Sequence, residues 1–304
     1  MTAMTTPRDG DASGILNIDK PKGPTSYDVV SRVRRALRQR RVGHAGTLDP
    51  LATGVLVVCL GQAVRLMEYV ADSFKSYRAT IRFGLITGTW DMEGQVIERH
   101  PYDGLSLEAI QQVLPAFTGR IEQVPPMYSA LKRDGRPLYR LARRGITVER
   151  SPRSVEVYEI KVIEWLPPDL VLQIACSKGT YIRSLAHDLG QALGTGAILA
   201  ELTRLAVGGF RLEEAISLEA LLSEGASDAW KRHLLPMRAA LGHMPGVRVD
   251  GETARRISFG QPVSLEQGEG PELCYAYDDG EQLLAILKRD RESGLWRPQK
   301  VLVG

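Results

Sequence analysis

Apolar positions in the first three quarters of the chain recur with the periods of short strands and amphipathic helices. A turn at Pro167-Pro168 is expected to join two of the strands. Runs rich in β-forming residues predict strands at residues 15–19, 55–60, 77–83, 155–163 and 170–176. Helical spacing with capping residues predicts helices at residues 26–39, 63–71, 106–114 and 181–193, and another that begins over residues 218–223.

The pattern changes near His243-Met244-Pro245-Gly246, where short strand-like pieces separated by turn signals replace it. A length of 304 residues suits one large domain plus a small one, which we place at residues 15–243 and 244–304. Residues 1–14 are polar and small, so we expect a disordered tail there. The strand-like pieces of the small β-rich domain are residues 247–249, 262–265, 273–277, 283–287 and 300–303.

Composition narrows the class of protein. Apolar residues make up 43% of the chain and charged residues 25%, as in ordinary globular proteins. Cys59, Cys176 and Cys274 are odd in number and far apart, which argues against a disulfide framework and for a reducing compartment. The longest apolar run, residues 51–60, is too short to cross a bilayer, so no membrane association is expected.

Charge is distributed unevenly, although the net charge is only +3. Residues 31–41 carry six arginines and no acid, and residues 132–153 also carry a net +6, which leaves −9 for the rest of the chain. Two concentrated basic segments suggest a footprint for a polyanion. The alternative for the first segment is that its arginines form the solvated face of a helix.

A single carboxylate, Asp49, stands in the glycine-rich stretch of residues 43–58, and no other acid lies between Asp28 and Glu68. Pro50 pushes Asp49 out of the helical region into an extended conformation. Glycines on either side permit a tight, irregular backbone. Taken alone, the stretch is also compatible with an ordinary surface turn, because turns favour Asp and Gly.

The same stretch, GHAGTLDPLATGVL, resembles the active-site motif of the TruB family of tRNA pseudouridine synthases. Five motifs follow the order of that family between residue 15 and about residue 205. The phrase Ile257-Ser-Phe-Gly-Gln-Pro-Val263 resembles the PUA-type RNA-binding domain that ends many members. The four motifs besides the Asp49 stretch are KPKGPTS at 20–26, KSY at 75–77, QVPPMYSALK at 123–132 and CSKGTYIRSL at 176–185.

This resemblance implies an α+β fold, in which helices flank a central mixed, mostly antiparallel sheet with a cleft across it, plus a small C-terminal PUA-like domain. It implies that the protein flips the T-loop uridine (uridine-55) out of tRNA, cleaves the C1′–N1 bond and rejoins the base through C5. Neither a metal nor another cofactor is expected, and the histidines and cysteines show no metal-ligand spacing. The expected partner is the tRNA T-arm, and we expect a cytoplasmic monomer without an obligate protein partner.

Several residues acquire roles from the resemblance. Asp49 matches the essential carboxylate, and whether it attacks C1′ or removes a ribose proton stays open. Arg183 matches the arginine that pairs with this carboxylate. Tyr77 matches the tyrosine that stacks on the uracil and is a candidate acceptor of the C5 proton. Tyr181 and Leu202 match residues that line the uracil pocket.

Other residues are expected to hold the RNA or the loop. His44 matches the histidine that fills the gap left by the flipped base. Lys20 is expected to buttress the catalytic loop or to contact phosphate. The segment 88–94 departs from the family pattern at Gly88 and Trp90, which makes its role uncertain. The basic residues that fall where the family places an RNA-gripping insertion are Lys132, Arg136, Arg140, Arg143 and Arg144.

Competing functions find less support in the sequence. Residues 20–26 lack the spacing of a P-loop, and Gly194-x-Gly196 lacks the third glycine of a dinucleotide fingerprint. A non-catalytic RNA-binding protein on the same scaffold has no need of the complete set Asp49, Tyr77 and Arg183. A guide-RNA-dependent synthase of the same superfamily typically has longer flanking segments.

Overall fold

The computed structural model describes residues 12–129, 131–133, 135–142, 144–146, 148–265 and 272–303. The strands of the large N-terminal part are β1 Gly14–Lys20, β2 Val42–His44, β3 Thr53–Leu60, β4 Lys75–Phe83, β5 Leu85–Thr87, β6 Val96–Arg99, β7 Gly119–Gln123, β8 Lys132–Arg133, β9 Arg136–Pro137, β10 Arg153–Leu166, β11 Asp169–Cys176, β12 Ala197–Val207, β13 Phe210–Arg211 and β14 Ile216–Ser217. Its α-helices are α1 Ser26–Ala36, α2 Met67–Ala71, α3 Leu107–Val113, α4 Leu138–Ala142, α5 Ile182–Ala192 and α6 Leu218–Ser223.

A smaller unit follows at the C-terminal end. Its strands are β15 Gly246–Arg248, β16 Leu273–Tyr277, β17 Leu283–Arg289 and β18 Trp296–Val301, which form one sheet in that order. Helix α7, Gly251–Ser258, connects the first two strands and was not predicted from the sequence. Asp250 caps this helix, since its carboxylate accepts a hydrogen bond from the Thr253 amide at 2.8 Å.

The central sheet runs in the order β14-β1-β3-β12-β4-β11-β10-β7, with β2 and β13 paired along its path. Among the described strands of this sheet, the β1–β14 and β3–β12 pairs are parallel and the others are antiparallel. The predicted α+β class with a mixed, mostly antiparallel sheet is therefore confirmed. Strands β3, β12 and β4 lie side by side, and this places the segments that precede or follow them at one cleft.

Local sequence explains where helix α1 begins. The Thr25 hydroxyl accepts a hydrogen bond from the Asp28 amide at 3.1 Å, and the Asp28 carboxylate accepts one from the Thr25 amide at 2.9 Å. This reciprocal capping box fixes the first turn next to the Asp49 loop. The helix buries Val29, Val30 and Val33 and ends at Ala36, three residues before the predicted end.

Two apolar clusters cover the two faces of the sheet. Leu56, Val58 and Leu60 of β3 point into the larger cluster, which includes residues of α1 and α5. Val55 and Val57, on the other face of the same strand, pack in a second cluster with residues of the C-terminal unit. Because successive residues of a strand face opposite sides, β3 is buried on both faces. The C-terminal residues in the second cluster are Leu283, Ile286 and Leu302.

The structure corrects several boundaries. Strand β1 begins at Gly14, and the Ala12 amide donates to Gln39 Oε1 at 2.9 Å, so the expected disordered tail does not extend to residue 14. The predicted helix at 63–71 is a 3-10 turn followed by α2. The predicted strand at 300–303 begins at Trp296 instead, and at 262–265 only an isolated bridge from Val263 forms. Residues 1–11 of the tail lie outside the described residues.

Candidate active site

The Asp49 loop is held by hydrogen bonds from the N-terminal segment. Ser26 Oγ accepts a hydrogen bond from the Leu48 amide at 2.8 Å and donates to the Leu48 carbonyl oxygen at 3.1 Å. The Gly23 amide donates to the Pro50 carbonyl oxygen at 2.8 Å. Residues on both sides of Asp49 are thereby fixed to the start of α1, which leaves the carboxylate projecting from a rigid turn.

Arg204 on strand β12 supports the same loop from below and is almost completely buried. Its Nε donates to the Val55 carbonyl oxygen at 2.7 Å, and its Nη2 donates to that of Gly46 at 3.0 Å. Sequence reasoning missed both Arg204 and its strand. The available signal was an arginine inside the apolar run at residues 197–207.

Arg183 on α5 lies behind the carboxylate of Asp49. Its Nη2 is 2.8 Å from Asp49 Oδ2 and donates to the Tyr128 carbonyl oxygen at 2.7 Å. The Arg183 side chain is only 5% exposed, whereas the Asp49 side chain is 36% exposed. The arginine therefore forms the inner wall of the site, and the carboxylate opens to the cleft.

Asp91 is a second acid at this arginine and was not among the predicted site residues. Its Oδ2 lies 3.5 Å from Arg183 Nη1, and its Oδ1 accepts a hydrogen bond from the Glu93 amide at 3.1 Å. The same Nη1 donates to the Thr89 carbonyl oxygen at 3.4 Å. The segment 88–94, whose role the sequence left uncertain, thus contacts Arg183 on the side away from Asp49.

Lys20 is the second cation near Asp49. It has no exposed surface, and its Nζ donates to the carbonyl oxygens of Pro21 at 2.9 Å and Pro50 at 3.4 Å. These contacts tie the end of β1 to the catalytic loop. Complete burial makes Lys20 unavailable to a phosphate, so of the two expected roles only that of a loop buttress fits.

Opposing effects act on the protonation of the site. Burial raises the pKa of the Asp49 carboxyl, while the Arg183 and Lys20 cations lower it and the charge of Asp91 raises it. Burial lowers the pKa of Lys20 to about 8, and the negative charge of Asp49 acts against this shift. The two cations therefore favour the ionised Asp49 that nucleophilic or basic chemistry requires.

Tyr77 and Tyr181 lie close enough to Asp49 for its charge to raise the pKa of both phenols. Tyr77 is in β4, where it pairs with Arg204 of β12 and Ile174 of β11. Burial raises the pKa of its phenol, and the charge of Asp49 raises it further, whereas Arg204 lowers it.

Tyr181 precedes helix α5, and its amide donates to Gln123 Oε1 at 3.1 Å. Leu202 is buried opposite Ala79.

His44 ends β2, five residues before Asp49, and is half-buried. Burial lowers the pKa of its imidazole, and the positive charge of Arg204 lowers it too. The ring is therefore neutral at neutral pH.

The basic insertion is described only in part. Arg140 and Arg144 are exposed. Lys132 and Arg136 belong to the short strands β8 and β9, but their side chains lie outside the described residues. Arg143 lies outside the described residues altogether.

Within the described part of the chain, no cluster of three or more His, Cys, Asp or Glu side chains could hold a metal ion. The described helices also include none that is long and apolar enough to span a membrane. What the cleft does offer is an ionisable carboxylate, a guanidinium paired with it, and two tyrosines beside them. Such a set can carry acid–base or nucleophilic chemistry.

Comparison with known proteins identifies the family. Residues 34–182 match the model of the TruB family pseudouridylate synthase N-terminal domain, and residues 183–242 match that of the tRNA pseudouridylate synthase B C-terminal domain. The chain belongs to the TruB family. Among its TruB relatives is the tRNA pseudouridine synthase B of Dehalococcoides mccartyi, 44% identical over 95% of this chain and 96% of the relative. That of Gloeobacter violaceus is 48% identical over 82% of this chain and 86% of the relative.

The fold of this TruB-family chain also resembles that of a solved structure. A chain in the crystal structure of a Cbf5-Nop10-Gar1 complex superposes with a TM-score of 0.74 at 29% identity, covering 95% of this chain and 85% of that chain. The family and fold class expected from the sequence motifs are both confirmed.

Proposed function

We propose that this protein is a tRNA pseudouridine synthase that isomerises the T-loop uridine to pseudouridine. The observation that carries the proposal is the Arg183–Asp49 ion pair of 2.8 Å, with Tyr77 and Tyr181 close enough that the charge of Asp49 raises the pKa of both phenols. Relatives that are 44% and 48% identical to this chain bear the name tRNA pseudouridine synthase B, which supports the same activity here.

The reaction breaks the C1′–N1 bond, forms a C1′–C5 bond, releases the C5 proton and returns a proton to N1. Asp49 is the group that acts on the ribose, either as a nucleophile at C1′ or as a base. Arg183 favours the ionised form of Asp49. Because Arg183 is buried and also donates to the Tyr128 carbonyl oxygen, its ion pair fixes the position of the carboxylate. Leu202 and Tyr181 hold the detached uracil between the two bond changes.

Tyr77 stacks on the flipped base. Its raised pKa keeps the phenol protonated in the free enzyme, so the resting site presents an aromatic ring rather than a phenolate base. Accepting the C5 proton through Tyr77 therefore requires that Arg204, the cation beside it, stabilise the phenolate once the substrate is bound.

The RNA lies across the exposed basic surfaces. Arg140 and Arg144 of the insertion contact phosphates on one side, and the arginines after α1 contact them on the other. His44 enters the gap that the flipped uridine leaves in the T-loop. The C-terminal unit, residues 244–304, is PUA-like and adds RNA contacts through the exposed face of α7, with Arg255, Arg256 and Phe259.

The enzyme works as a monomer in the cytoplasm, without an obligate protein partner or guide RNA. The similarity to proteins named tRNA pseudouridine synthase B over 95% of the chain supports the activity in this proposal. The alternative is an enzyme that acts only together with other proteins, which the likeness to a chain solved in a Cbf5-Nop10-Gar1 complex makes an outcome to test.

Tritium release from C5-labelled uridine in an unmodified tRNA transcript tests the proposal, with no added metal, cofactor or protein. We expect release by the wild type and by Asp72→Asn, an exposed control, and none by Asp49→Asn, which should still bind tRNA. A wild type that binds tRNA without releasing tritium contradicts the stand-alone enzyme. Release by Asp49→Asn contradicts the role given to Asp49.

A further inference from the structure

Beside the active site, the indole ring of Trp90 contacts the side chains of His187 and Arg150. The Trp90 and His187 rings stack with centroids 4.3 Å apart and planes inclined by 8°. The guanidinium carbon of Arg150 lies 5.4 Å from the centroid of the Trp90 ring. Trp90 therefore makes a cation–π contact with Arg150 and an aromatic stack with His187.

Each of these residues is connected to Arg183. His187 is on α5, one helical turn after Arg183, so both side chains leave the same face of the helix. Trp90 lies between Thr89, whose carbonyl oxygen accepts a hydrogen bond from Arg183 Nη1, and Asp91, whose carboxylate lies 3.5 Å from the same nitrogen. The indole ring therefore sits at the centre of the segment that holds the guanidinium.

Trp90 also has a backbone conformation that needs support. Its φ is +61°, in the left-handed region that residues other than glycine seldom adopt. This conformation turns the chain so that Thr89 and Asp91 can both face Arg183. A bulky residue persists in such a conformation only where its surroundings hold it there. The stack on His187 supplies that support from the side chain.

Arg150 reaches the stack from the end of the basic segment. Its Nη1 donates to the Pro125 carbonyl oxygen at 3.0 Å. The chain from Pro125 continues to Tyr128, whose carbonyl oxygen accepts a hydrogen bond from Arg183 Nη2. Arg150 is therefore braced by the same segment that contacts Arg183, and its guanidinium lies over the Trp90 ring.

We infer that Trp90, held by its stack on His187 and its cation–π contact with Arg150, is a positioning residue that fixes the Arg183 guanidinium against Asp49. The inference rests on the proposed function for its kinetic consequences, since Arg183 acts on the rate through Asp49. It assigns a role to Trp90, which departs from the family pattern, and to Arg150, which lies in the basic segment yet acts on the site rather than on phosphate.

Paired substitutions distinguish the effect of the Trp90 ring from that of its backbone conformation, and the effect of the planar Arg150 guanidinium from that of its charge. Trp90→Gly removes the ring but accepts a φ of +61° without strain, whereas Trp90→Phe keeps a ring. Arg150→Lys keeps the positive charge but loses the planar guanidinium. Trp165→Phe and Trp165→Gly are matched controls, because Trp165 packs edge-on against Phe83 elsewhere in the sheet.

Single-turnover tritium release at saturating tRNA is the kinetic measurement. A misplaced Arg183 should reduce the rate roughly tenfold in Trp90→Gly and Arg150→Lys, with the dissociation constant of tRNA unchanged. The acid limb of the pH–rate profile should move to higher pH, because a less closely held Arg183 lowers the pKa of Asp49 less. The other charges facing Asp49 are Lys20, Asp91 and Glu93. Because Asp91 raises the pKa of Asp49, its displacement alone would move the limb to lower pH, and a limb at lower pH contradicts the inference. Trp90→Phe should recover most of the rate.

A purely structural role would lower the melting temperature of the Trp90 variants without moving the acid limb, as expected for the Trp165 controls. That result, or an Arg150→Lys that changes tRNA affinity alone, overturns the inference.

A second readout does not need activity. Burial and Arg150 both lower the pKa of the His187 imidazole, so Arg150→Gln should raise it when the ring is titrated by NMR. An unchanged His187 titration shows that Arg150 does not lie beside the stacked rings in solution. A wild type without tritium release but with the expected titration contradicts the proposed function and leaves the stack standing.

Discussion

Asp49 depends on two cations that come from opposite ends of the catalytic part of the chain. Arg183 reaches it from α5, and Lys20 lies beneath the loop at the end of β1. A carboxylate surrounded by protein is favoured in its neutral form unless positive charge compensates. The buried lysine therefore has an electrostatic function as well as its hydrogen bonds to the loop carbonyls.

Replacing Lys20 by methionine should move the acid limb of the pH–rate profile to higher pH. Loss of the cation raises the pKa of Asp49, and the active carboxylate exists only above that pKa, so we expect a shift of up to about one pH unit. Because the pKa of Lys20 is about 8, wild type and variant should converge above that pH. Lys22→Met, an exposed neighbour, is the control. An acid limb that stays in place or moves to lower pH contradicts the role.

At the level of the elements, the site depends on how closely strands β3 and β12 pair in the sheet. These strands pair in parallel at Thr203–Thr53 and Arg204–Gly54. Gly54 has a φ of +96°, and a Cβ placed there would lie 2.3 Å from the Arg204 carbonyl oxygen. Arg204 can reach the loop carbonyl of Gly46 only because the two backbones come this close.

Gly54→Ala should therefore destabilise the protein strongly. Backbone strain at positive φ and a clash with main chain act together, so we expect a decrease of more than about 3 kcal/mol in the free energy of unfolding.

Gly194→Ala is the matched control. Its φ is +69° but nothing lies within 4 Å of the added Cβ, so the free energy of unfolding should fall by only about 1 kcal/mol. Urea unfolding measures both variants. Equal decreases would show that the positive φ alone accounts for the loss and that the backbones of β3 and β12 do not come too close for a Cβ at residue 54.

The basic insertion can be tested as one element. Replacing Arg140, Arg143 and Arg144 by glutamine should weaken tRNA binding and flatten its salt dependence. The log–log slope should fall by roughly 0.7–0.9 for each phosphate that the variant no longer neutralises. Filter binding across a salt series provides the measurement. Lys161→Gln, an exposed charge on β10, should leave the slope unchanged. A triple variant with an unaltered slope removes the insertion from the RNA interface.

At the scale of the whole molecule, the C-terminal unit is packed into the catalytic part rather than tethered to it. Leu283, Ile286 and Leu302 share an apolar cluster with Val55 and Val57, which follow the Asp49 loop. Polar contacts close the rim of this interface, including Arg238–Glu281 at 2.8 Å and Lys300 Nζ donating to the Arg65 carbonyl oxygen at 2.8 Å.

Ile286→Ala should consequently destabilise both parts together. Ile286 is fully buried, and truncation of such a side chain reduces the free energy of unfolding by about 2–5 kcal/mol. Urea unfolding followed by circular dichroism and fluorescence should show one transition at a lower midpoint. Phe259→Ala, at a side chain that is 70% exposed, should change stability by less than about 0.5 kcal/mol. Two separate transitions, with the catalytic part unaffected, would show that the units fold independently.

Local sequence determined much of this protein. A capping residue before the apolar pattern placed the start of α1, runs of β-forming residues gave β4 and β11, and the isolated Asp49 in its glycine-rich stretch indicated the site. These features depend on the spacing of neighbouring residues, so a single sequence contains them. The motif order also gave the family and, with it, Tyr77 and Arg183 as residues to look for.

Only the tertiary structure decided which other groups complete the site. Arg204 and Asp91 are far from Asp49 in sequence. Arg204 reaches the Asp49 loop because β12 pairs with β3, and Asp91 reaches Arg183 because the turn at Trp90 faces α5. Strand β12 escaped prediction because residues 197–200 are buried on both faces and the buried face then includes the charged Arg204, so the sequence lacks the regular polar–apolar alternation that reveals a strand. The charges that surround a carboxylate come from contacts between residues distant in sequence. These contacts are set by packing of the whole core rather than by any local pattern.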